Sequence, residues 1–320
     1  MGVNSFLEKY EQISSTEDFR GKFIHAEIKT CKFCGLNSSQ VSFKNIPHVI
    51  PELFGKNNFT SNEECDHCNA KFGIFETDLS NFISPYLTLT SQKTKRKIPQ
   101  FQSRKDAGKN STTIKNVDGR LNMNFGANLE DFKYDYQNNL VDFRFKKKKF
   151  IPINVYKGLV HVALSLCPEQ EIRHFQDTID WILERESNDS RLLDVPLFAF
   201  RTRFSNKKFN HPSAHLFRRK NEADRNKYAP KLSLVIYSGM LVFQIFLPGC
   251  SETRNFEKGS YHLELDIFPA FLLDLNLPEN FKEVTIKMNQ LPVVQYDLNF
   301  DQMVEEDELL TGKYSSIDRK

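Results

Sequence analysis

Four of the six cysteines stand in two pairs, Cys31-x2-Cys34 and Cys65-x2-Cys68, with 30 residues between the pairs. The two-residue gap inside a pair lets both thiolates reach one ion. Two such clips supply the four soft ligands of a tetrahedral Zn²⁺, at about 2.3 Å per Zn–S bond. A metal so held can brace a module whose own core is small, and a purely structural zinc is the plain reading of the cluster. The opening MGVNSFLEKYEQ has acidic residues and no apolar block, so a secretory signal is not expected. In a cytoplasmic setting two CxxC pairs mean metal rather than disulfides. Cys167 and Cys250 lie singly among apolar neighbours and are expected to be buried, inert thiols.

The residues between the clips carry more than a staple. Val41-Ser-Phe-Lys-Asn-Ile-Pro-His48-Val-Ile-Pro51-Glu-Leu-Phe-Gly55 precedes the second clip, which runs on as Cys65-Asp-His-Cys68-Asn69-Ala-Lys-Phe-Gly-Ile-Phe-Glu76. Taken in order, these pieces resemble the zinc-containing HNH endonucleases of the ββα-metal fold, over roughly residues 31 to 80. The resemblance implies a general base at His48, on the first strand of a hairpin, that takes a proton from the water attacking a phosphodiester. Imidazole ordinarily titrates near ~6.5, which suits that task at neutral pH. It further implies that Asn69 ligates one catalytic Mg²⁺ or Mn²⁺, hard cations that favour oxygen donors. Cys31, Cys34, Cys65 and Cys68 would hold a separate structural Zn²⁺. The expected products are a 5′ phosphate and a 3′ hydroxyl.

Some positions depart from the family pattern. Many relatives carry Asp or His just before the catalytic histidine as a second metal ligand, whereas this chain has Pro47, which cannot ligate. Asn45 or Glu76 could stand in, and Glu76 lies seven residues beyond Asn69, on the same helical face. The family's middle asparagine is out of register, with Asn62 preferred and Asn58 the alternative. Each residue also has a plainer role open to it: Asn69 as a helix cap, Glu76 as a solvated helix residue, His67 as a solvent-facing one. Lys93, Lys95, Arg96, Lys97, Arg104 and Lys105 fall in a basic stretch directly after the module, fit to track DNA phosphates or simply to keep a linker soluble. Lys146 to Lys149 read as a solvated strand edge. His211 and His215 read as a loop around Pro212, and His161, His174 and Trp181 as helix and core residues without chemistry.

The surrounding elements must position this module. Asn4 to Ile13 reads as a short helix, Phe23 to Lys29 as a strand entering the first clip, and the helix after the second clip is expected to stop near Pro85. Residues 91–117 read as a basic linker or arm. Leu140 to Phe150 alternates like a strand, and INVYKGLVHVALSLC followed by PEQEIRHFQDTIDWILER reads as a helix pair. From Val195 onward LFAFRTRF, LSLVIYSGMLVFQIFL, YHLELDIF and EVTIKM read as strands, with a hairpin turn at Ser238-Gly239. No run reaches the ~18 apolar residues of a membrane span. With 320 residues, 29 phenylalanines and a net charge of only +3, the chain can bury a sizeable core without being a polycation.

The expectation is an α+β protein with an HNH domain at 1–90, a basic arm at 91–117 and a helix-pair and β-rich accessory domain at 118–320. Among bacterial proteins, HNH modules with large accessory domains resemble restriction or anti-phage defence effectors. An activating ligand, a partner protein or a homo-oligomer could each engage the accessory part, and no membrane is expected. The competing expectation is a zinc-dependent nucleic-acid-binding protein without catalysis.

Overall fold

In the computed structural model the chain is described at residues 5–20, 28–95, 97–102, 113–117, 120–124, 132–135, 137, 140–146, 148–184, 197, 199–203, 209–221, 227–249, 262–269, 287–290 and 307–313. Helix α1 (Ser5–Lys9) runs straight into strand β1 (Tyr10–Ser15), and α2 (Asp66–Leu89) follows the cysteine clips. Strands β2 (Phe101–Gln102), β3 (Thr113–Val117) and β4 (Arg120–Asn124) form a small antiparallel sheet. Strands β5 (Phe132–Asp135) and β6 (Leu140–Lys146) precede three helices, α3 (Pro152–Leu166), α4 (Glu169–Ile172) and α5 (Gln176–Leu183). The remaining strands are β7 (Ala199–Arg203), β8 (Phe209–Arg219), β9 (Lys227–Tyr228), β10 (Leu232–Gly239), β11 (Leu241–Phe246), β12 (His262–Leu263), β13 (Lys287–Gln290) and β14 (Asp307–Lys313). The largest sheet is antiparallel and ordered β1-β8-β10-β11-β7-β13, while β14 returns to pair with β6. This is an α+β fold whose C-terminal region is rich in strand.

The β10–β11 hairpin shows why those strands read as continuous apolar runs. Both faces are covered, so period-2 alternation sends its side chains to two different cores. Leu232, Leu234, Ile236, Leu241, Phe243 and Ile245 join the main core with α2 and α3. Val235, Tyr237 and Val242 point the other way, into an aromatic cluster with Phe6, Tyr10, Phe217 and Phe268. The hairpin turns at Gly239 and Met240, since Ser238 still pairs with Leu241. Gly239 has φ +58°, and a Cβ there would meet Thr90 Oγ1 at 2.8 Å, so the turn seats its tip against the end of α2.

Three local expectations give way to tertiary structure. The N-terminal helix ends at Lys9, because β1 is claimed by β8 and Tyr10 is buried, donating to the Pro230 carbonyl at 2.7 Å. Helix α2 runs through Pro85 instead of stopping before it. Proline frees the carbonyl four residues back, and the Ser84 hydroxyl, 3.5 Å from Asn81 O, takes that place. His211 and His215 lie within β8, not in a loop. Pro212 is tolerated there because the register between β8 and β10 shifts beside it, leaving no ladder bond for its missing N–H to break. The expected strand at 23–29 lies largely outside the described residues, as does Cys250.

Helix α3 is buried along its whole length and on every side, so both of its polar ends need internal partners. At its start the Asp78 carboxylate, on α2, accepts from Ile151 N at 3.1 Å and Asn154 Nδ2 at 2.7 Å. At its end Lys32, inside the first cysteine clip, donates to the Ser165 and Cys167 carbonyls at 2.9 and 2.6 Å. An acid at the positive end and a cation at the negative end also match the helix dipole. Burial lowers the Lys32 pKa from the usual lysine value. Asp78→Ala is expected to lower the unfolding free energy by about 1–3 kcal/mol, because it strands two buried donors. Urea titration followed by the fluorescence of the buried Trp181 on α5 measures this.

Candidate metal centre and active site

Cys31 and Cys34 sit on a tight turn closed by Gly35 N to Cys31 O at 2.9 Å and Cys31 N to Leu36 O at 2.8 Å. Cys65 is the N-cap of α2 and Cys68 lies in its first turn. The four sulfurs all lie within 4.8 Å of one another, with Cys31–Cys68 and Cys34–Cys65 at 3.8 Å. A tetrahedron of Zn–S bonds of about 2.3 Å has edges of about 3.8 Å, so the cage has the size of one zinc ion. Its electrostatics agree. The hydrogen bond between Cys31 and Cys68 lowers the Cys31 thiol and raises that of Cys68, and burial pushes Cys65 up. Without a cation the cage cannot carry four thiolates; a dication at its centre would let it.

Between the clips the backbone makes only a minimal hairpin. His48 bridges Thr60, Val49 N donates to Phe59 O at 3.0 Å, and Ser61 N donates to Pro47 O at 3.0 Å. The bend is set by Gly55, at φ +146°, where a Cβ would run into Gln92 Nε2 at 2.4 Å and Pro212 Cδ at 2.9 Å. Two residues on, Asn57 ties the loop together. Its Nδ2 donates to the Ile50 and Gly55 carbonyls at 3.2 and 3.0 Å, and its Oδ1 accepts from Phe59 N at 3.1 Å. That oxygen also lies 3.1 Å from His48 Nδ1. With its amide nitrogen committed to two carbonyls, Asn57 can only accept from His48. The imidazole proton therefore sits on Nδ1, and Nε2 keeps its lone pair. Nε2 is 3.6 Å from Glu52 Oε2, which in turn is 3.5 Å from Lys95 Nζ. His48 lines a narrow cleft together with Lys32, Phe33, Glu63, Glu64 and Ser165.

Helix α2 presents its side of the site from the first turn onward. Asn69 and Glu76 are half-buried, and Phe72 lies between them on the same face. Phe72 stacks on His161 of α3, with ring centroids 4.1 Å apart. His161 Nε2 donates to Glu64 Oε2 at 3.1 Å, inside the protein. Burial pushes the Glu76 carboxyl up; Glu64 reinforces this and the charges of His161 and His48 oppose it. Glu76 thus feels groups from three separate parts of the chain, His48, Glu64 and His161. Asn62 is buried and Asn58 exposed; the side chain 3.1 Å from His48 Nδ1 is that of Asn57. The available signal for Asn57 was its place two residues after Gly55, since asparagine habitually bonds the backbone two residues on in a turn. Asn45 is occupied: Asp66 accepts from its side chain at 2.9 Å and its backbone at 2.8 Å. His67 is exposed.

Residues 31–78 match the family model described as HNH endonuclease. This segment is an HNH module. No curated protein and no solved structure matches the chain. The match contains both cysteine clips, the hairpin with His48, and α2 as far as Asp78, so one stretch carries the cage and the imidazole together.

Around the HNH module, Lys93, Lys95 and Lys97 are exposed, while Arg96, Arg104 and Lys105 lie outside the described residues. The stretch after α2 is anchored at intervals: Gln92 Nε2 donates to Asn210 O at 3.0 Å, and Phe101 and Ile114 are buried in the main core. Lys148 and Lys149 are exposed. Among the described residues no helix is long and apolar enough to cross a membrane.

Two outcomes follow from this geometry. Purified protein is expected to carry a single zinc ion, measured by atomic emission, and Cys68→Ser to lose it. Separately, Asp66 is held at about 2 by the Ser42 hydroxyl and the Asn45 and Lys44 amides, below its usual 3.8. The unfolded chain then protonates first as pH falls, so this contribution is complete above about pH 4 and lost towards pH 2. The stability gap between wild type and Asp66→Ala should accordingly narrow across that window in urea titrations.

Proposed function

We propose that this protein is a metal-dependent DNA endonuclease. The observation that carries the reading is the His48 imidazole, which lines a cleft and whose Nδ1 is pinned to Asn57, leaving the Nε2 lone pair as the proton acceptor. A base so fixed can accept a proton from water without having to choose a tautomer at the moment of reaction. Asn69 and Glu76, on one face of α2, offer oxygen donors to Mg²⁺ or Mn²⁺. Such an ion, when bound, stabilises charge on the attacked phosphate and the departing 3′ oxygen. Water attack on phosphorus with departure of the 3′ oxygen leaves a 5′ phosphate and a 3′ hydroxyl.

The remaining parts fall into place around that chemistry. Zn²⁺ in the four-cysteine cage keeps His48 and α2 in register. Lys93, Lys95, Arg96, Lys97, Arg104 and Lys105 contact the DNA backbone. Residues 1–90 carry the cut, even though β1 lends its backbone to the large sheet, with 91–117 as a basic arm and 118–320 recognising the target or licensing cleavage. A restriction or anti-phage defence effector of the cytoplasm fits this arrangement, because a reducing compartment keeps the four thiols available for zinc. One observation favours a second reading, a zinc-braced nucleic-acid binder without catalysis: Pro47 offers no ligand beside His48.

Cleavage of supercoiled plasmid in the presence of Mg²⁺ or Mn²⁺ decides between them. His48→Ala should abolish nicking while zinc content stays at the wild-type level. Asn57→Ala should reduce the rate about 10–100-fold, the usual cost of removing a residue that orients a functional side chain. Undiminished cutting by His48→Ala would overturn the nuclease reading, and binding of DNA without any cutting by wild type would favour the second one.

A further inference from the structure

Glu64 lies immediately before the second cysteine clip and is 4 % exposed. Its two carboxylate oxygens have different fates. Oε2 accepts from His161 at 3.1 Å, whereas Oε1 is buried with no hydrogen-bond partner. A buried carboxylate oxygen without a donor costs about 1–3 kcal/mol or more, and native proteins keep such groups where something else completes them. Glu64 also lines the cleft that contains His48, and its charge is felt by Glu76. Glu64 and His48 thus line one cleft, and the Glu64 charge reaches Glu76 of α2.

We infer that Glu64 is a further ligand of the catalytic divalent ion and that His161, from α3, holds it in aim. This rests on the nuclease reading above and names a ligand that the position of Pro47 otherwise leaves missing. The chemistry is suitable: a hard Mg²⁺ or Mn²⁺ takes one or two carboxylates plus neutral oxygens and water, and Glu64, Glu76 and Asn69 are such a set. His161 is suited to the supporting role. Its ring lies against Phe72 at 4.1 Å and Phe33 at 5.2 Å, so it cannot turn away from Glu64. Fixing one carboxylate oxygen by an N–H leaves the other available to an ion, which is how partners behind a ligand tune a metal site. Since His161 belongs to α3, the C-terminal half would contribute directly to metal affinity.

Mn²⁺ binding to full-length, zinc-loaded protein, followed by electron paramagnetic resonance of the free ion, tests this without relying on cleavage. Glu64→Gln keeps the shape and should weaken Mn²⁺ binding about 10–100-fold, with zinc content and Trp181 fluorescence unchanged. His161→Phe keeps the stacking on Phe72 but removes the N–H, and should weaken binding as well, by less than Glu64→Gln. Glu76→Gln serves as the comparison. If Glu76→Gln weakens Mn²⁺ binding and Glu64→Gln does not, Glu64 is a structural clamp on α3 and the inference is overturned while the nuclease reading stands. If wild type binds no Mn²⁺ and cuts no DNA, both fall.

Discussion

Helix α3 has no face on water, and that single constraint organises the molecule. A helix buried on all sides leaves its terminal N–H and C=O groups, and any polar side chain along it, dependent on what the rest of the chain supplies. Here the suppliers are residues of the HNH segment: Asp78 at the first turn, Lys32 at the last, and Glu64 against His161 in between. The apolar contacts say the same. Phe72, Phe75, Leu79 and Phe82 of α2 share one core with Val155, Leu159 and Val162 of α3 and with Phe243 and Ile245 of β11. The C-terminal half is thus packed against the HNH segment through its centre.

The segment between the two clips has the opposite character. From Cys31 to Cys65 its regular structure is three isolated bridges, a few turns and one 3-10 turn at Glu52–Phe54. Such a stretch cannot hold the His48 imidazole through a backbone ladder, so discrete ties do it. The sulfur cage joins its two ends, Asp66 gathers Lys44 and Asn45, and Asn57 fastens the loop carbonyls and His48 at once. Each tie uses charge or strong hydrogen bonding where burial of apolar surface is scarce.

Charge within the site follows from how these two regions meet. Burial raises the Glu76 carboxyl and the Glu64 charge adds to this, while His161 and His48 oppose it. A site with desolvated carboxylates and one unpartnered oxygen is suited to a small divalent cation, which replaces repulsion with shared attraction. The same burial that makes α3 stable sharpens the electrostatics next to His48.

Much of this was legible from residue types alone. CxxC spacing, His48 followed by Val-Ile-Pro, and Asn69 after the second clip are local patterns, and local patterns are set by bond geometry and ligand chemistry. The apolar run of α3 and the paired strands of β10 and β11 were equally plain, because burial on both faces removes polar residues from the sequence itself. What required the fold were relations between residues far apart in the chain: β1 joining β8, α2 passing Pro85, and β8 accommodating Pro212. Asn57 meeting His48, and Glu64 meeting His161 across 97 positions, belong with them. Spacing can announce that an imidazole and four thiols exist for chemistry. Which oxygen faces which nitrogen depends on how buried helices and a turning loop close on each other, and only the packed chain decides that.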